Sequence, residues 1–104
     1  MAKPLERVAE DKFVKWCEGN GWECLKLRID GVNGFPDRTV IADGFTIYVE
    51  FKRPGESLRP AQEEWRDRLL ELGHHWTVAE SLEEAIEFTE DVIYERLRNR
   101  RHRI

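Results

Sequence analysis

Apolar positions recur along the chain with two different spacings, and the change from one to the other marks the elements. From Leu5 through Val8, Ala9, Phe13, Trp16 and Cys17 the spacing is i, i+3/i+4, one face of a helix over 5–18. Gly19-Asn20-Gly21 stops it. Residues 22–29 (WECLKLRI) alternate apolar and polar with one break, which predicts a strand. Asp30 to Pro36 is a turn-rich loop. Residues 37–42 and 45–52 read as two strands joined at Asp43-Gly44, a two-residue hairpin signal, and Arg53-Pro54-Gly55 ends the second.

The helical spacing then returns. Pro60 suits a first helical position, Ala61, Trp65, Leu69 and Leu72 form a stripe over 60–72, and Gly73 caps it. Residues 75–79 make a short fourth strand. Ser81-Leu82-Glu83-Glu84 is a capping box that opens a helix through Leu97, with Leu82, Ala85, Ile86, Val92, Ile93 and Leu97 as its apolar positions and 98–104 fraying. The order α-β-β-β-α-β-α predicts one α/β domain over 1–104, with a central mixed four-stranded sheet flanked by helices.

Composition changes this picture little. The chain has 104 residues, 40% of them hydrophobic, and four Trp and five Phe suffice for a packed core. No window approaches the roughly 20 apolar residues of a membrane span, and Met1 to Pro4 does not open a signal peptide, so the expectation is a cytoplasmic protein. Cys17 and Cys24 lack zinc-site spacing and are expected as free buried thiols on different elements. Charge changes it more. The net charge of −4 argues at first against nucleic acid, yet five Arg lie within residues 96–104, leaving an acidic body with a basic tail.

The chemistry gathers on the third strand. Alternation places Ile47, Val49 and Phe51 on one face and Tyr48, Glu50 and Lys52 on the other. Symmetric pairing about Asp43-Gly44 sets Asp37 opposite Glu50, with Cβ atoms roughly 4.5–5.5 Å apart. Two carboxylates there repel unless a cation lies between them, and Mg²⁺ is commonly held by one or two carboxylates plus waters. Lys52, one strand repeat away, is placed to orient a metal-bound water or to stabilise developing negative charge. Together these parts suit phosphodiester hydrolysis. Glu10, or Glu6 one turn earlier, offers a helix acid at the margin of the apolar stripe, and Gln62 in the first turn of the second helix is placed to bond a phosphate or a ligand water. His74, His75 and His102 have no ligand spacing.

The segments Gly34-Phe35-Pro36-Asp37-Arg38, Val49-Glu50-Phe51-Lys52-Arg53-Pro54-Gly55 and Leu58-Arg59-Pro60-Ala61-Gln62 resemble the VRR-NUC family, a branch of the PD-(D/E)xK nuclease superfamily with a restriction-endonuclease-like core. The resemblance covers roughly residues 8–90. It implies a Mg²⁺- or Mn²⁺-dependent DNA endonuclease. Asp37, Glu50 and the Phe51 backbone carbonyl would hold the metal, with Glu10 directly or through water. Lys52 would serve the attacking water and Gln62 would support it. It also implies a homodimer like stand-alone phage members that act on branched DNA, including four-way junctions. Lys26, Arg28, Arg38, Arg53 and Arg59 flank the acids, and Arg38 and Arg53 either contact phosphate or pair with local acids. The alternative function is a non-catalytic DNA- or protein-binding module on the same fold. The last helix and Trp76 are candidates for a dimer contact.

Overall fold

The computed structural model describes residues 5–102. The elements run α1 (Leu5–Gly19), β1 (Glu23–Leu25), β2 (Arg38–Ala42), β3 (Phe45–Phe51), α2 (Pro60–Glu71), β4 (His75–Ala79) and α3 (Leu82–His102). The order is the one the pattern predicts. The four strands form one sheet in the order β1-β2-β3-β4, antiparallel except for the parallel pair β3 and β4. The helix α2 crosses between those parallel strands, as a parallel connection requires.

The core lies between the sheet and α1 with α3. Ile47, Val49 and Phe51 of β3 and Val40 of β2 pack with Phe13 and Cys17 of α1 and Ala85 and Val92 of α3, all buried. Phe13 stacks on Trp16 and meets Phe51 at 5.7 Å between ring centroids, so aromatic contacts pin α1 to the sheet. The opposite face is covered over part of its width. There Phe35 packs edge-on against Tyr48 of β3 and Trp65 of α2.

Cys17 and Cys24 are buried free thiols on α1 and β1. They lie against each other, and that contact, together with burial, pushes the Cys17 thiol well above its ordinary range while the contact lowers Cys24. Because both thiols are buried, native protein at pH 8 should consume no iodoacetamide on a timescale in which the same protein in denaturant is fully alkylated. Two rapidly labelled thiols by mass spectrometry would contradict this packing.

Three expectations need correction. The first strand ends at Leu25 rather than Ile29. Its partner β2 begins only at Arg38, which pairs with Val49 on the other side, so residues 26–29 have no ladder to continue. Leu27 and Ile29 are accordingly exposed, as is Leu5, which overhangs the start of α1. The last helix does not fray after Leu97 but runs to His102. Nothing after Gly73 is Gly or Pro, and cationic side chains suit a helix C-terminus. Arg96 also fixes this helix to the hairpin, donating to the Gly44 carbonyl at 3.0 Å with its guanidinium 4.7 Å above the Phe45 ring. Residues 103–104 of the basic tail lie outside the described residues. Finally, Glu84 bonds the backbone N–H of Glu80 rather than that of the cap residue Ser81, while Ser81 accepts from Glu84 N–H as a cap should.

Candidate active site

The β2–β3 register places the site. Arg38 pairs with Val49 and Thr39 with Tyr48, the symmetric pairing about Asp43-Gly44 expected from the sequence. Continued by one residue, it brings Asp37 to Glu50. Asp37 Oδ2 accepts the backbone N–H of Phe51 at 2.8 Å, which ties the residue before β2 to the end of β3. The Asp37 and Glu50 carboxyls lie side by side, close enough for a hydrogen bond between them to raise the Glu50 pKa. Two carboxylic groups make that bond only by sharing a proton.

Burial is the first reason for that proton. Glu50 is 2% exposed. Desolvation, then the hydrogen bond to Asp37 and its charge, push the Glu50 carboxyl from its ordinary 4.5 up to about 9, against the pull of Lys52 and Arg59. Gln62 holds the other side. Its amide nitrogen donates to Glu50 Oε1 at 3.3 Å, and its own oxygen accepts the Arg59 backbone N–H at 2.8 Å. Gln62 thus caps α2 and braces Glu50 with one side chain. Lys52 follows on β3, its backbone N–H bonded to the Ala79 carbonyl at 3.0 Å and its side chain buried to within 8%. No hydrogen bond or ion pair engages its ammonium among the described residues.

The cations are distributed unevenly. Glu10, buried on α1, accepts Arg38 Nε at 2.6 Å and Lys26 Nζ at 3.5 Å. Glu6, one turn earlier, accepts Arg53 Nε at 2.9 Å. Of the two outcomes open for Arg38 and Arg53, the free protein thus shows ion pairs. Arg28 and Arg59 are exposed and make no ion pair among the described residues. Lys52, Glu50, Asp37, Glu10, Gln62 and Arg59 all line one cleft of about 470 Å³. Arg28 lies outside it, in an adjoining groove that Lys26 and Asp37 also line. How Glu10 is held was not legible from the sequence, because Lys26 and Arg38 are remote from it in the chain.

The loop leading to Asp37 is held by contact with α2. Gly34 has φ +77°, and a Cβ there would lie 2.6 Å from the Ala61 backbone carbon. Gly34→Ala should therefore destabilise the fold by about 1–3 kcal/mol through both strain and overlap. Denaturant melts of the two proteins check this, and an unchanged midpoint would contradict the contact.

A solved structure titled "VRR_NUC domain" superposes on this chain with a TM-score of 0.77 at 23% sequence identity, covering 85% of this chain and 97% of that one. The chain has the VRR_NUC fold. No family model matches the sequence, and no curated protein matches it. The similarity to the VRR_NUC structure is thus one of backbone architecture, and it agrees with the mixed sheet read from the pattern and with the restriction-endonuclease-like core that the resemblance implies.

Whether a divalent cation suits this VRR_NUC-fold site can be judged from its donor set. Two hard oxygen donors lie side by side, one of them kept protonated by its burial, and a divalent cation would compensate both carboxylates more fully. No group of three or more Asp, Glu, His or Cys is arranged to hold a metal among the described residues, since Glu10 faces Arg38 and Lys26. The site therefore fits a cation carried by two carboxylates and backbone or water oxygens. A set of three carboxylates does not fit it.

Proposed function

We propose that this chain is a divalent-metal-dependent deoxyribonuclease that hydrolyses phosphodiester bonds as an endonuclease. The observation that carries the reading is the Asp37–Glu50 carboxyl pair, with Glu50 buried and held protonated, beside the buried ammonium of Lys52, which makes no ion pair among the described residues. The VRR_NUC fold adds support, since the sequence motifs that carry these residues resemble the same family.

Asp37, Glu50 and the Phe51 carbonyl would hold Mg²⁺ or Mn²⁺. The bound ion would supply a water of lowered pKa and neutralise charge at the phosphoryl oxygens. The chain's own groups do the rest. Lys52 directs its ammonium at the attacking water and stabilises the negative charge that develops on the phosphorane oxygens. Gln62 keeps the Glu50 carboxylate turned toward Asp37. Glu10 acts through water as the outer carboxylate, while it positions Arg38 and Lys26. Arg59 and Arg28 offer charge to flanking phosphates without first breaking an ion pair, whereas Arg38, Lys26 and Arg53 must exchange a carboxylate for a phosphate.

The finer reading is structure-selective cleavage of branched DNA by a homodimer, and it rests on the sequence resemblance. No helix among the described residues is long and apolar enough to cross a membrane. The test is a cleavage panel of labelled linear duplex, flaps, forks and four-way junctions with Mg²⁺ and with Mn²⁺, run beside a light-scattering mass. Metal-dependent cutting of branched forms ahead of duplex is the expected result. Tight binding with no product under any divalent ion would replace the enzyme by a binding module, and a monomeric mass on DNA would remove the dimer.

A further inference from the structure

A groove of about 330 Å³ adjoins the candidate active site, and the reactions above leave it without a use. One wall is the stretch from Lys26 to Ile29 that leaves the sheet where β1 ends. The other is the segment from Val32 to Asp37. Asp37 lines both the groove and the catalytic cleft, so the two adjoin at that residue. The second wall is fixed, because Gly34 lies against Ala61 and the Phe35 ring is wedged between Tyr48 and Trp65.

Its lining is of two kinds. Leu27 and Ile29 are 39% and 46% exposed, and Val32 and Phe35 also line the groove. Arg28, exposed and without an ion pair among the described residues, and Lys26, tethered to Glu10, supply positive charge. A duplex presents phosphates and sugars outward and gains nothing from Leu27 or Ile29. An unpaired nucleotide has both parts that the groove can use: a base whose face buries against apolar side chains, and a phosphate for Arg28.

We propose that this groove is a subsite for one unpaired nucleotide of the strand being cut, next to the phosphate held at Asp37 and Glu50. This rests on the nuclease reading and names its substrate class as DNA with an unstacked base beside the scissile bond. Leu27, Ile29 and Val32 cover the base, and Arg28 takes the adjoining phosphate.

The test separates binding from cleavage. Wild type and the double variant Leu27→Ser/Ile29→Ser are titrated, without any cleavage-supporting metal, with a short single-stranded oligonucleotide carrying 2-aminopurine and with a paired duplex of the same sequence. Both replaced side chains are exposed, so the variant should fold, and its melting temperature checks that. The subsite predicts that the variant binds the single strand about tenfold or more weakly, while duplex affinity changes less than about twofold. Arg28→Ala should weaken single-strand binding and lower its salt dependence.

Equal loss on both DNAs, no loss on either, or no single-strand binding by wild type would overturn the proposal. So would a change of the variant from dimer to monomer in sedimentation, which would assign the patch to a second copy. Failure of the nuclease reading gives a different result: no product with Mg²⁺ or Mn²⁺, whatever the binding data show.

Discussion

Lys52→Met should lower metal-dependent DNA cleavage by about 10²–10³-fold or more, the usual loss when one group aimed at a developing charge is removed from a catalytic site. Methionine keeps the buried stem and deletes the ammonium, so the packing around position 52 is retained. Because Asp37 and Glu50 are untouched, Mn²⁺ should still raise the melting temperature of the variant as it does that of wild type. The two measurements separate the roles: cleavage reports the ammonium and the melting shift reports the carboxyl pair. Cleavage within tenfold of wild type would remove Lys52 from the reaction. Loss of the Mn²⁺ shift together with activity would make it a structural residue.

Glu50→Gln should have the opposite signs in the two assays that wild type links. Without metal, the folded protein keeps the Glu50 proton up to about pH 9, whereas an unfolded glutamate loses it near its ordinary 4.5. The contribution of this group to stability is complete below about 4.5 and falls as pH rises toward about 9, because across that window the unfolded chain binds one proton fewer. A glutamine is nearly isosteric, can donate to Asp37 and accept from Gln62, and carries no proton to lose.

At pH 8 the metal-free variant should therefore be more stable than wild type by about 1–3 kcal/mol, the usual scale for relieving a buried polar group. It should also lack the downward slope with pH. Its cleavage should be abolished and its Mn²⁺ melting shift absent. In wild type, Mn²⁺ must displace the shared proton, so its apparent affinity should climb about tenfold per pH unit over the same range. A variant that melts below wild type at pH 8 without metal, or that keeps the Mn²⁺ shift, would contradict the shared-proton arrangement.

Much of this was legible in the sequence because it depends on local rules. Alternation at Ile47, Val49 and Phe51 and the Asp43-Gly44 turn determine the β3 faces and the β2–β3 register, and these two facts bring Asp37 to Glu50. The order of elements follows from the same change of periodicity, and the family resemblance added the restriction-endonuclease-like core. What was not legible depends on distant partners. The strand stops at Leu25 because its partner β2 begins only at Arg38, and the alternation of Leu25, Leu27 and Ile29 carries no record of that. The helix to His102 is held partly by Arg96 on the hairpin, 52 residues away. The pairing of Glu10 with Arg38 spans 28 residues and appears only once α1 lies on the sheet. The predicted cations were found near the site, but their division into paired and unpaired members is a property of packing.

The single hydrogen bond from Phe51 N–H to Asp37 has a further consequence. The two acids are brought together by counting residues back from a turn at the other end of the hairpin, so the site inherits the parity of β2. One residue inserted between Arg38 and Ala42 would send Asp37 to the α1 side and leave Glu50 facing a backbone. Residues added between Asp43 and Gly44, beyond the closing pair Ala42 and Phe45, would leave that parity intact. Tolerance to insertion is therefore polarised along the sheet. The turn end, apart from the Arg96 contact at Gly44, is where a peptide could be grafted without disturbing the carboxyl pair.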